Sequence, residues 1–122
     1  MAKKAAQIAD DKKGDEVLLL DLRKLSSVTD FFVICSSKSA IGVKAIAGAI
    51  QEQMKKEGVS ANHIEGLGEG TWILADYGDV VVHVFLDQIR SYFDLESLWG
   101  DAPRKSFRPR ARKKTAKKRS KK

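Results

Sequence analysis

The amino-acid sequence predicts one α/β domain over residues 1–103, a mixed β-sheet with flanking helices, followed by a disordered Lys/Arg-rich tail over residues 104–122. Three observations lead there. Short apolar runs rich in Val, Ile and Leu alternate with longer segments of three- and four-residue apolar spacing, the pattern of strands interleaved with helices. With 43% apolar residues in 122, the chain can bury one core. The formal charge of +7 is unevenly divided: residues 1–103 carry 11 Lys+Arg against 16 Asp+Glu, whereas residues 104–122 carry 12 against none. An acidic globule with a cationic arm suggests two contact modes, protein for the globule and phosphate for the arm.

Ala5, Ala6, Ile8 and Ala9 place a weak helical stripe in the first dozen residues, ended by Gly14, with the lysines on its solvent face. Val17 to Leu22 hardly alternates, so this strand is expected to be central and covered on both faces. Phe31 to Cys35 is a second strand that pairs with it. Ser39 is placed to cap a helix whose Val43, Ile46, Ala47, Ile50 and Met54 share one face and whose C′ residue is Gly58. Gly42 and Gly48 inside this helix are expected to permit close approach to the sheet. A short strand before Glu65 leads to Gly66, Gly68 and Gly70, a sharply bent or mobile connection.

The stretch Thr71 to Trp99 holds both tryptophans and both tyrosines. Thr71–Ala75 and Val80–Leu86 flank Asp76-Tyr77-Gly78-Asp79, which reads as a hairpin. Asp87 then caps a single helix from Gln88 to Trp99, stopped by Gly100 and Pro103. Within this stretch, W-I-L-x-D-Y-G-D-V-V-V-H-V-F followed by R-x-Y-F-x-L-E-x-L-W resembles the signature of the Iojap family of ribosomal silencing factors. Thr29 to Ile34 with Ser36, Ser37 and Ser39 resembles that family's strand-to-helix segment, and the likeness runs from about Ala2 to Ala102. The usual Tyr-Tyr pair is Tyr92-Phe93 in this chain.

The resemblance implies a fold similar to nucleotidyltransferases. It implies a non-enzymatic factor, without cofactor, that binds the large ribosomal subunit through ribosomal protein L-fourteen. Occupying the face where the small subunit docks, such a factor blocks subunit joining and represses translation under nutrient limitation. On the matched positions the partner-binding candidates are Trp72, Tyr77, Asp79, His83, Arg90, Tyr92 and Glu96. The tail candidates for rRNA contact are Arg104, Lys105, Arg108, Arg110, Arg112, Lys113 and Lys114, read from uncompensated charge. With Phe107 as its one aromatic, the tail has little capacity for base stacking.

Two other readings compete: a nucleotidyltransferase-like enzyme and a general RNA-binding protein. For the first, Ser36-Ser37 ahead of Ser39 would form a phosphate turn, but no Asp-x-Asp or Asp-x-Glu pair follows to hold Mg²⁺. Asp76 and Asp79 read as turn formers, and Gly66-x-Gly68-x-Gly70 lacks the lysine of a P-loop and precedes a strand. His63, His83 and Cys35 lie on separate segments without ligand spacing, so no metal is expected, and His83 reads as structural. Trp99 is expected in the core, while Trp72 opens a strand as a candidate interface anchor. A single cysteine, no apolar signal region and no membrane-length run point to the cytoplasm. Oligomeric state, a homodimer included, is left open.

Overall fold

The computed structural model describes residues 1–107. Helix α1, Ala2–Asp11, buries Ala2, Ala5, Ala6 and Ala9, methyl-sized side chains that let it lie close to its neighbours. Strands β1, Asp15–Asp21, and β2, Phe31–Ser37, pair antiparallel with Leu19 opposite Val33, and a bulge interrupts the register between Asp15 and Leu18. Helix α2, Ala40–Lys56, starts where the Ser39 side chain accepts the Gly42 N–H and ends ahead of Gly58 at φ 82°. Strands β3, His63–Glu65, β4, Trp72–Asp76, and β5, Val80–Leu86, follow. Helix α3, Asp87–Phe93, helix α4, Leu95–Leu98, and strand β6, Arg104–Phe107, complete the chain.

The six strands form one sheet in the order β3-β4-β5-β2-β1-β6, in which β2 and β5 run parallel and every other neighbouring pair is antiparallel. Because side chains alternate along a strand, the sheet buries two cores. On one face Val17, Leu19, Val33, Cys35, Ile73, Val82 and Val84 pack against α1 and α2. On the other, Leu20, Leu22, Ile34 and Phe85 pack with Trp72, Ile89, Leu95 and Trp99. The expected central placement of Val17–Leu22 holds, since β1 has a partner on each edge and a layer on each face.

Four details depart from the sequence reading. The helix expected over Gln88–Trp99 is broken at Asp94, which sits at φ 47°, ψ 51°. Asp is among the few residues that tolerate this left-handed conformation, and its carboxylate accepts the Ser97 hydroxyl across the break. Asp87 lies in the first turn of α3 and makes no side-chain cap. The arm expected from Arg104 begins as strand β6, because the edge of β1 supplies backbone partners that the tail cannot supply itself. Only Gly42 of the two helical glycines answers to close approach: a Cβ there would collide with the Ser37 hydroxyl, whereas one at Gly48 would meet nothing.

Candidate protein-docking site

Trp72 opens β4 directly opposite Phe85 of β5, two residues along from His83 on the same face. Gly66, at φ 88°, permits this entry, since a Cβ there would collide with the Trp72 carbonyl. The indole lies 4.8 Å from the Phe85 ring and 5.1 Å from Phe93, centroid to centroid. Its Nε1–H donates to His83 Nδ1 at 3.2 Å. That bond assigns the tautomer, because an accepting Nδ1 leaves the ring proton on Nε2. His83 is 4% exposed and its Nε2 has no hydrogen-bond partner, the Phe32 ring standing 4.6 Å away edge-on. Burial pushes the His83 pKa down to about 4, so the imidazole is neutral and fit to accept from Trp72.

Beyond the half-buried indole the surface is aromatic and open. Tyr92 is 81% exposed and Phe93 51%, their rings 5.0 Å apart and perpendicular. Both reach solvent because α3 stops at Asp94, and Leu98 of α4 is 74% exposed as well. Isolated exposed apolar groups are ordinary, but contiguous aromatics on a rigid frame are the composition of interface anchors.

The frame is held by Arg90, which is 7% exposed. Its Nε donates to Glu96 Oε2 at 3.0 Å, Nη1 to the Asp15 carbonyl and the Ser36 hydroxyl at 3.0 and 3.1 Å, and Nη2 to the Glu16 carbonyl at 2.9 Å. The guanidinium thus ties α3 to α4, to the end of β2 and to the bulge of β1, where Glu16 has φ 43°. The planar fork of Arg can serve partners in several directions at once, which lysine could not.

The seven partner-binding candidates therefore separate. Trp72 and Tyr92 meet at the aromatic patch, joined by Phe93, which the sequence reading left out of the candidates as a departure from the family's usual Tyr-Tyr pair. His83, Arg90 and Glu96 lie behind the patch, His83 accepting from Trp72 and Arg90 donating to Glu96. Tyr77 and Asp79 lie at the far end of the β4–β5 hairpin: Tyr77 is buried with its hydroxyl unpartnered, and the exposed Asp79 accepts the Asp30 and Phe31 N–H groups through its carbonyl. Four residue steps apart at roughly 3.4 Å each, Trp72 and Asp76 mark opposite ends of β4. Of the tail candidates, Arg104 donates to the Glu96 and Trp99 carbonyls at 3.2 Å, and Lys105 pairs with Leu19 in the β6–β1 register. Arg108, Arg110, Arg112, Lys113 and Lys114 lie outside the described residues.

Two of the serines that an enzyme reading would use have structural partners. Ser36 accepts from Arg90 and Ser39 caps α2. Cys35 is buried on the α1–α2 face, its thiol pushed up to about 12 by desolvation, while His83 lies on the opposite face. Among the described residues no helix is long and apolar enough to cross a membrane.

The chain is a mixed α/β sandwich that carries an exposed aromatic pair, Tyr92 and Phe93, beside a buried arginine clamp. A match to the family described as ribosomal silencing factor during starvation covers residues 1–122. A ribosomal silencing factor of Bacillus subtilis (strain 168) is 48% identical over 99 residues, 81% of this chain and 84% of that one. Among solved structures, a protein from Chromobacterium violaceum superposes with TM-score 0.78 at 41% identity, covering 80% of this chain and 82% of that chain. One from Bacillus halodurans does so with TM-score 0.75 at 37% identity, covering 86% and 95%. The chain belongs to the family of ribosomal silencing factors.

Proposed function

We propose that this protein docks its Trp72–Tyr92–Phe93 patch on ribosomal protein L-fourteen of the large ribosomal subunit and sterically excludes the small subunit, repressing translation when nutrients are limiting. The observation that carries the reading is the open aromatic patch held by Arg90 and His83 on a protein of the silencing-factor family. Exclusion needs a rigid wedge and no chemical step. The acidic surface of residues 1–103 complements a basic ribosomal partner and speeds encounter, while the aromatics supply affinity. The tail adds interactions with rRNA that depend on salt.

The test is co-sedimentation of the Tyr92→Ala variant with isolated large subunits. Truncating an interface hot spot costs about 2 kcal/mol or more, roughly a thirty-fold loss of affinity. Since Tyr92 is 81% exposed, its melting temperature should not move. Unchanged sedimentation would refute the placement of the docking patch.

A further inference from the structure

We infer that the groove between α2 and β3 binds a free α-amino acid with an apolar side chain, reading its ammonium, its carboxylate and that side chain together. The groove encloses about 470 Å³, within the range of about 300–1,000 Å³ typical of small-molecule sites. Gly48, Glu52 and Lys55, which share one face of α2, line it from one side. Val59, Ile64 and Tyr77 line it with apolar surface from the α2–β3 connection, β3 and the β4–β5 hairpin. These three pack with the α1–α2 core, whereas Trp72 packs in the other, so the groove lies across the sheet from the aromatic patch.

Gly48 keeps the space open. Glycine weakens a helix relative to alanine, and the backbone does not require it at this position. Its φ is not in the left-handed region, and a Cβ there would meet no atom within 4 Å. What the missing side chain leaves is room on the wall of the groove.

The charges of the lining specify the occupant. Glu52 and Lys55 are its only charged residues, and they carry opposite signs. Three residues apart on one helix, they are near enough to pair with each other, yet neither joins an ion pair among the described residues. A simple anion in the groove would face Glu52, and a simple cation would face Lys55. A zwitterion satisfies both. An α-amino acid carries its two charges on one carbon, so side chains within one helical turn can bracket them, while its apolar side chain covers Val59 and Ile64 and withdraws that surface from water. A peptide fits less well, because it moves the two charges to opposite ends of a chain.

The probe is L-leucine, titrated into the isotope-labelled full chain and followed by the amide chemical shifts of residues 48–64. No ribosome is present, so this result and the docking reading stand or fall separately. Leucine should shift these amides to saturation. N-acetyl-leucine, which lacks the ammonium, and leucinamide, which lacks the carboxylate, should each bind about fivefold more weakly, the scale of an exposed ion pair. Glycine, without the apolar side chain, should bind about tenfold more weakly or worse. In the protein, Glu52→Gln and Lys55→Gln should each cost about fivefold, and Lys56→Gln, outside the lining, should keep the parent affinity. Gly48→Leu should abolish the leucine-induced shifts by filling the groove, with a melting temperature unchanged or raised. Absence of shifts with leucine, or leucine binding retained in Gly48→Leu, would overturn the site. N-acetyl-leucine matching leucine would overturn the reading of a zwitterion, and tighter binding of the tripeptide Ala-Leu-Ala than of leucine would overturn it in favour of a peptide.

Discussion

Replacing Arg90 by methionine isolates what the clamp contributes to the fold. The substitution keeps an apolar stem of similar reach and removes the donors of four hydrogen bonds, to Glu96, Asp15, Ser36 and Glu16. Hydrogen bonds to a charged group contribute about 1.5–3 kcal/mol each, but their sum would approach the entire stability of a domain, so they cannot all be additive. The governing comparison is the breaking of a buried ion pair. With Arg90 7% exposed and the Glu96 side chain 19%, a loss of about 3–5 kcal/mol is expected, since a carboxylate whose Oε1 is already buried without a hydrogen-bond partner would lose its charge partner as well. At a urea slope of about 2 kcal/mol per molar, the midpoint should fall by roughly 2 M, followed by tryptophan fluorescence. Arg90→Lys should restore less than half of this, since an ammonium cannot reach four diverging acceptors. Adding Glu96→Gln to Arg90→Met should recover part of the loss, because the stranded carboxylate is gone. A midpoint within about 0.5 M of the parent, accompanied by failure to bind ribosomes, would refute the argument and make Arg90 a partner-touching residue.

His83 sets a pH dependence. Its unfolded imidazole takes a proton near pH 6.5 and its folded one only near 4, so stability is full above about 6.5 and is lost as pH falls toward 4. The loss between pH 7 and 5 should be roughly 2 kcal/mol by urea titration, and His83→Gln should flatten it. Trp72→Ala should lower both the unfolding midpoint and large-subunit affinity, since the indole packs on Phe85 while edging the patch; a change in affinity alone would place it wholly in the interface. In a translation extract the protein should inhibit only when added before the subunits join, and equal inhibition of assembled ribosomes would exclude occlusion.

Local signals made much of the fold legible. The unbroken apolar run of β1, the Ser39 cap, Gly58 and the β4–β5 hairpin are each written within a few residues of where they act. Strand β6 is not, because Arg104-Lys105-Ser106-Phe107 has no apolar pattern and becomes a strand only where β1 offers its edge. The break at Asp94 escapes for a related reason: Leu95, Leu98 and Trp99 continue the helical spacing, and only the left-handed Asp with its Ser97 bond interrupts it. At the site, Trp72 and Tyr92 announce themselves by chemistry. His83 and Arg90 do not, since a polar motif residue reads alike whether it meets a partner or braces the residue that does. Arg90 is distinguished by acceptors 74 and 75 residues away, a distance no local pattern spans.

Strand β6 also bears on the fate of incomplete chains. β1 is an early segment whose outer row of N–H and C=O groups is met by residues 104–107. A chain ending before Arg104 would carry that row bare on a Val- and Leu-rich strand, the template for pairing with another copy. In the longer chain the outermost strand instead bears Arg104 and Lys105, charges that discourage edge-to-edge growth. Fragments from interrupted synthesis or clipping in the linker at Asp101–Pro103 are thus expected to aggregate at concentrations where the intact protein stays dispersed.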